Sequence, residues 1–336
     1  MNRIAVIGAG SWGTALAMVL ADNGHEVRLW GHSPLTINEI NNNNSNKNYL
    51  PSIKLPKSIK GFTSLQQAID GVNSILIVVP TKAIREILIK LKEIIKTPVT
   101  IIHASKGIEP KTFKRVSEII NEILPNDVLK DIVVLSGPTH AEEVALKYPT
   151  TITAASNNKF ASEFTQNLFM NSYFRVYNNN DILGVELGGA LKNIIALGAG
   201  ICDGLGYGDN AKAALVTRGL SEITRLGCEM GANPLTLLGL AGAGDLIVTC
   251  NSKHSRNWQA GYQIGKGSNI EDVQNNIGMV VEGIRSTEAA YHLAKQLGVD
   301  MPITNQIFEI VFCSKNPRDA VDFLMNREGK REIAYQ

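Results

Sequence analysis

Short, almost unbroken apolar runs recur through the first half of the chain, at Ile4 to Ile7, Val27 to Trp30, Ser74 to Val79, Val99 to His103, Ile132 to Leu135 and Thr151 to Ala155. Runs this short, rich in β-branched side chains and lacking a polar face, are what strands buried on both sides require. Helical spacing fills the intervals between them. The rhythm is therefore βαβ, and the expected class is α/β, a Rossmann-type doubly wound, mostly parallel sheet with helices on both faces. Asn41 to Asn48, followed by Pro51 and Pro56, reads as a surface loop between two early units.

Near Asn178-Asn179-Asn180 the pattern changes. The segments Ile182 to Ile201, Ala211 to Leu226, Arg256 to Ile264, Glu282 to Leu297 and Ile303 to Val311 carry helical spacing, with almost no strand candidate among them. An all-helical C-terminal domain over 181–336 is expected to follow a sheet domain over 1–180. The length agrees, since 336 residues exceed what one hydrophobic core usually covers.

Composition narrows the class further. Hydrophobic residues make up 44% and charged residues 19%, an ordinary globular balance. Thirty-three Lys plus Arg against 31 Asp plus Glu leave a net charge of +2, which gives no electrostatic case for a nucleic-acid or membrane partner. Cys202, Cys228, Cys250 and Cys313 are far apart and form no metal-ligand spacing, so they read as reduced and structural, with no metal site. Arg3 and the apolar stretch to Ala21 superficially resemble a secretory signal. Gly8, Gly10, Ser11, Gly13 and Thr14 interrupt that stretch and turn it into strand, turn and helix. No other window offers about 18 uninterrupted apolar residues, so no membrane span and a cytoplasmic location are expected.

The first candidate chemistry is Gly8-Ala9-Gly10-Ser11-Trp12-Gly13, directly after a strand and opening a helix. Gly8 permits the tight turn, Gly10 lets the backbone approach a pyrophosphate, and Gly13 lets helix and strand pack closely, so the first domain is expected to bind a dinucleotide. At the end of the second strand, where a carboxylate would hold a ribose 2′-hydroxyl, stand Trp30-Gly31-His32-Ser33. Nothing there repels a 2′-phosphate, and His32 with Ser33 can donate hydrogen bonds to one, although a solvated loop histidine fits the same position. NADPH or NADH is the expected cofactor.

Ligands of an open α/β sheet gather beyond the carboxyl ends of its strands. Ser105-Lys106-Gly107 and Ser136-Gly137-Pro138-Thr139 both fall there, and Thr139 with Glu142 suggests a capping box opening a short, anion-accepting helix. In Glu186 to Asn193, Lys192 shares a helical face with Gly188, Gly189, Ile195 and Ala196. Burial there would lower the lysine pKa toward the range useful for acid-base work. A lysine snorkelling from an ordinary amphipathic helix fits the same spacing. Gly242-Ala243-Gly244-Asp245 and Ser255-Arg256-Asn257 come later, the second offering a guanidinium fork and neutral donors suited to phosphate, although such a triplet alone is also common on surfaces.

Taken together, GAGSWGTALA at Gly8 to Ala17, SKG at Ser105 to Gly107, SGPTHAEEV at Ser136 to Val144, ELGGALKN at Glu186 to Asn193, GLAGAGDL at Gly239 to Leu246, SRN at Ser255 to Asn257 and VEG at Val281 to Gly283 resemble the bacterial NAD(P)-dependent glycerol-3-phosphate dehydrogenases. The resemblance covers essentially the whole chain. It implies Lys192 as the catalytic acid-base, with Lys106 and Asp245 beside it. It further implies that Lys106, Gly137, Thr139, Lys192, Asn193, Asp245, Ser255, Arg256 and Asn257 meet the substrate. Gly8, Gly10, Ser11, Trp12, Gly13, His32, Lys106, Ala141, Arg256, Val280 and Glu282 would surround the cofactor. The implied reaction is reversible reduction of dihydroxyacetone phosphate to sn-glycerol 3-phosphate for glycerophospholipid synthesis, in a protein compatible with a homodimer. Two rivals remain at this stage: a hydroxyacid or phosphogluconate dehydrogenase with a similar lysine, and a non-catalytic redox sensor that keeps only the glycine loop.

Overall fold

Eight strands of the first half hydrogen-bond into one sheet. They are β1 (Arg3–Ile7), β2 (Glu26–Trp30), β3 (Ile59–Phe62), β4 (Ser74–Ile77), β5 (Val99–His103), β6 (Leu129–Ser136), β7 (Thr150–Ala155) and β8 (Phe174–Asn179), in the order β3-β2-β1-β4-β5-β6-β7-β8. The computed structural model describes residues 1–278, 280–329 and 331–332. Every neighbouring pair is parallel except β6 with β7. In β1 the unbroken apolar run has a clear cause: Ile4 and Val6 pack with Leu16 and Leu20 on one face, while Ala5 and Ile7 pack with Leu88 and Ile119 on the other. All four strand residues are fully buried. The sheet is doubly wound, as the pattern predicts.

Two strands escape the pattern. β3 and β8 are the two edges of the sheet, and β8 alternates buried Phe174 and Val176 with exposed Arg175 and Tyr177. An edge with one wet face gives no continuous apolar run. The asparagine segment is also more ordered than a surface loop. Pro34–Asn43 is a helix whose N-cap Ser33 accepts from the Thr36 N–H, and Asn46 beyond it is fully buried. The expected capping box at Thr139 does not form. The short helix Ala141–Ala145 starts one residue later, at N-cap His140, and the Thr139 hydroxyl turns back to donate to the Gly137 carbonyl at 3.2 Å.

After β8 the described chain is helical. The long helix Ile182–Leu205 begins where the Asp181 carboxylate accepts from the Gly184 N–H (2.8 Å) and stops at Gly206, which is left-handed with φ 83°. Nearly all of it is buried, with Asp209–Glu229, Arg256–Gly265, Glu282–Leu297 and Pro302–Phe312 packed around it. Pro234–Leu237, Ile270–Ile277, Pro317–Met325 and a π-helical turn at Leu240–Gly244 leading into Asp245–Asn251 complete the half. By length and hydropathy Ile182–Leu205 and the composite stretch Pro234–Asn251 would each suit a membrane; the first is instead the core of this half and carries Glu186 and Lys192. Glu222, nearly fully buried, accepts from the N–H groups of Ile303 (2.6 Å) and Thr304 (3.0 Å) at the start of Pro302–Phe312.

Ile182–Leu205 and Arg256–Gly265 meet backbone to backbone through Gly200 and Gly204 on one and Gly261 and Gly265 on the other. A Cβ at Gly204 would lie 2.5 Å from the Tyr262 oxygen, and one at Gly261 would collide with the Leu197 carbonyl. Gly261→Ala should therefore force the helices apart and cost about 1–3 kcal/mol or more. Gly208→Ala, which meets open space at φ −83°, should stay within about 0.5 kcal/mol of wild type. Denaturant unfolding of both variants checks the contrast.

Candidate active site between the sheet and the helical half

At the carboxyl end of β1 the chain turns through Gly8, where φ is +126° and a Cβ would strike the Val78 carbonyl. A side chain at Gly13 would collide with the Gly8 carbonyl, whereas the space above Gly10 is open. No side chain caps the first turn of the helix Ser11–Asp22, so its N–H groups face outward without a partner from the side chains. That cradle fits a pyrophosphate. It is braced from behind by the asparagine segment: Asn46 Nδ2 donates to the Ala9 carbonyl (3.0 Å) and to Thr14 Oγ1 (2.9 Å), and the Ser11 hydroxyl donates to the Tyr49 carbonyl (2.8 Å). The Trp12 indole N–H is buried with no partner among the described residues. His32 is exposed at the end of β2, while Ser33 is occupied as a helix cap.

The carboxyl ends of β4, β5 and β6 bring the next groups in. Ser105 Oγ donates to the Val79 carbonyl (2.6 Å), which fixes the turn after β5 against the glycine loop's neighbour. Glu282, at the start of Glu282–Leu297, accepts from the Thr81 N–H (3.3 Å), and burial pushes its carboxyl pKa up despite that bond. A Cβ at Gly107 would lie 3.2 Å from Glu282 Oε2, so the glycine is what lets this joint close. Lys106 Nζ donates to the Gly137 carbonyl (3.1 Å) and to Asp245 Oδ2 (2.6 Å).

From the other side Lys192 reaches the same carboxylate. Its residue exposure is 5%, and its ammonium bonds to Asp245 Oδ1 and to Thr249 Oγ1, the latter at 2.7 Å. Asp245 is fully buried and is delivered by the glycine-rich π turn, which passes so close to the long helix that a Cβ at Gly188 would lie 2.6 Å from the Ala241 oxygen. Gly189 plays the matching part toward the sheet, where a Cβ would lie 2.7 Å from Ser136 Oγ and 3.6 Å from Lys106 Cγ. Two ammonium groups thus share one carboxylate, a net positive site in low dielectric. Burial lowers the Lys192 pKa to about 8; Asp245 opposes that shift and the charge of Lys106 adds to it. The spacing left buried and snorkelling lysine open, and the structure has it buried.

Around this cluster Asn193 Oδ1 accepts from Asn257 Nδ2 (2.8 Å), and Asn257 Oδ1 accepts from the Gly283 N–H (2.8 Å). The Asn257 carboxamide is thereby engaged, which leaves its first-turn main-chain N–H as the free donor. Ser255 caps Arg256–Gly265, accepting from the Trp258 N–H. Arg256 is exposed and has no hydrogen bond or ion pair among the described residues. Thr139 flanks Gly137, and Ala141 begins the next helix. Val280 is half-buried just before the Glu282 helix. Among the described residues no hydrogen bond or ion pair ties His32, Ala141 or Val280 to the lysine cluster.

Several groups here carry no strong sequence signal. Thr249 stands four residues after Asp245 on one helical face, a spacing that was readable. His140, whose pKa burial and the charge of Lys192 hold down, has its ring 6.1 Å from that of His254. Glu186 lies within the ELGGALKN segment, but nothing in the sequence marks it as the partner of Arg115 and Ser117. Burial pushes its pKa up, but His103, Arg115 and Ser117 outweigh that and hold it below the usual carboxylate range.

Known proteins give this geometry a context. A family model described as the NAD-dependent glycerol-3-phosphate dehydrogenase N-terminus matches residues 3–162, and the corresponding C-terminus model matches residues 181–322. The chain is 61% identical over 333 residues to a Bacillus mycoides protein named glycerol-3-phosphate dehydrogenase (NAD(P)+), covering 99% of this chain and 98% of that one. A Geobacillus thermodenitrificans protein of the same name is 60% identical over 334 residues, covering 99% and 97%. Among solved structures, a glycerol-3-phosphate dehydrogenase from Coxiella burnetii superposes with a TM-score of 0.93 at 40% identity, covering 97% of this chain and 99% of that chain.

Proposed function

Because the chain belongs to the NAD-dependent glycerol-3-phosphate dehydrogenase family, we propose that it interconverts dihydroxyacetone phosphate and sn-glycerol 3-phosphate with NAD(P)H, using Lys192 as acid and base. The observation that carries this reading is the pair of lysines on the buried Asp245, one from each half of the molecule, with Lys192 itself buried. In this reading residues 1–180 hold the dinucleotide and 181–336 supply the acid-base group and most of the substrate contacts.

When bound, the dinucleotide supplies or accepts a hydride. Gly8, Gly10, Ser11, Trp12 and Gly13 would hold it, with His32 at the ribose end and Lys106, Ala141, Arg256, Val280 and Glu282 nearer the reacting end. Lys192, as an ammonium, donates its proton to the substrate's carbonyl oxygen. In reverse, neutral Lys192 removes that proton. Lys106 stabilises negative charge on the same oxygen, a task that preorganised charge performs without reorganisation. Asp245 and Thr249 hold the Lys192 amine in place, so the proton leaves and returns along one direction.

Arg256, flanked by the Ser255 hydroxyl and the Asn257 N–H, is the phosphate anchor, and Gly137, Thr139 and Asn193 line the remaining substrate surface. Binding energy at a remote phosphate is then available to orient the carbonyl. A cytoplasmic location and a homodimer belong to the same proposal, as does a role in supplying glycerophospholipid synthesis.

Loss of nicotinamide absorbance on mixing with dihydroxyacetone phosphate, measured separately with NADH and NADPH, tests the reading. Turnover of a hydroxyacid or of 6-phosphogluconate in place of the triose phosphate would defeat it, and so would binding without turnover of any substrate. In the same assay Arg256→Ala should raise KM for dihydroxyacetone phosphate by about 10- to 100-fold, the worth of a charge-assisted bond. KM for unphosphorylated dihydroxyacetone should change little. Equal losses on both substrates would remove Arg256 from the phosphate.

A further inference from the structure

Glu186 stands in the helix of Lys192, about one and two-thirds turns before it. Its side chain is 4% exposed. Oε1 accepts from the Ser117 N–H (2.8 Å) and lies 3.2 Å from His103 Nε2. Oε2 accepts from the Ser117 hydroxyl (2.6 Å) and from the Arg115 guanidinium (2.6 Å). His103 closes β5 just before the turn that bears Lys106, and Arg115 and Ser117 open the helix Val116–Ile123 just after it. A single carboxylate thus bonds the far flank of the segment carrying one lysine and touches its near flank, while its own helix carries the other.

The segment between those flanks needs such a grip. Lys111 and Phe113 adopt left-handed backbone, at φ 72° and 57°, and non-glycine residues stay there only where the surroundings over-determine them. The segment touches the helical half again through the stack of Phe113 on His292, with centroids 6.1 Å apart.

We propose that Glu186 is a positioning residue, whose bonds to Arg115 and Ser117 and close contact with His103 set the placement of Lys106 against Asp245 and Lys192. It touches neither substrate nor cofactor. The inference rests on the acid-base role given to Lys192 above. Glutamine at this position keeps the shape but loses the charge that Arg115 meets, and an amide cannot accept all of these donors with both of its heavy atoms. The Lys106 segment then relaxes away from Asp245. Lys192 keeps the carboxylate to itself, and with the neighbouring positive charge withdrawn its pKa rises.

The test compares wild type with Glu186→Gln in two readouts: the alkaline limb of kcat for carbonyl reduction, and the titration of the Lys192 side chain by NMR of 13C-labelled lysine in the protein without cofactor. We expect both to move to higher pH in the variant and kcat at neutral pH to fall roughly 10- to 100-fold, as for a slight misplacement of a reacting group. Glu186→Asp should recover part of each change. Glu222→Gln, which alters another buried carboxylate whose bonds go to Ile303 and Thr304 instead, should leave the limb where it is. A fall in stability and kcat with both titrations unmoved would overturn the proposal and leave Glu186 a structural residue. If Glu186→Gln does not fold, Ser117→Ala removes the hydroxyl donor alone, and the same limb must move upward or the proposal fails. A wild-type Lys192 that does not titrate near pH 8 would instead defeat the acid-base reading itself.

Discussion

Lys192→Ala is expected to lower turnover in both directions by about 100- to 1000-fold, the usual loss when one group stabilising charge in the transition state is removed. Cofactor affinity should stay within about twofold of wild type, because the glycine loop lies on the other half of the molecule and shares no bond with the lysine. Titration of cofactor fluorescence and steady-state turnover, measured on one preparation, check both parts. The deletion also removes a buried charge whose partner is retained, but Lys106 remains on Asp245, so the fold should survive. Turnover close to wild type would take Lys192 out of the chemistry.

Asp245→Asn should be as damaging, for a different reason. The carboxylate opposes the effects of burial and of Lys106 on the Lys192 pKa. Without it, both push that pKa further below about 8, and at neutral pH the amine loses the proton that reduction requires. The rate of reduction at pH 7 should fall by about 100-fold or more. It should partly recover on acidification, while oxidation, which uses the neutral amine, is affected less at that pH. The Lys192 amine and the partly buried Lys106 ammonium would also lose their charged partner, at a cost of about 1–3 kcal/mol in unfolding free energy. Equal losses in the two directions at every pH would show that Asp245 does not act through the lysine.

The interior of the sheet was legible because its strands are buried on both faces, and Glu282 to Leu297 was legible to the residue because a glutamate opens that helix and Gly298 ends it. The edges were not. β3 and β8 alternate in polarity, and the last two residues of β8 sit inside the asparagine run that marked the change of rhythm. Asn46 was invisible for a related reason: a polar residue in a polar run looks solvated, and only the folded chain brings it under Ala9 and Thr14. Thr139 misled by one position, since capping depends on where the first turn starts. Within the site, motifs identified which residues to watch, but spacing along one helix had no means of telling a buried Lys192 from a snorkelling one. That distinction depends on Asp245 arriving from a separate segment by way of a π turn, a long-range contact that local periodicity does not encode.

The most direct test of the central claim is the pH dependence of the hydride-transfer step in single turnovers, followed at the nicotinamide band in both directions. With Lys192 at about 8, reduction should be level below that pH and fall about tenfold per unit above it, while oxidation should rise with the same slope and level off above it. Neither limb should survive in Lys192→Ala. Limbs that persist in that variant, or that run the same way in both directions, would contradict the assignment of the proton to this amine.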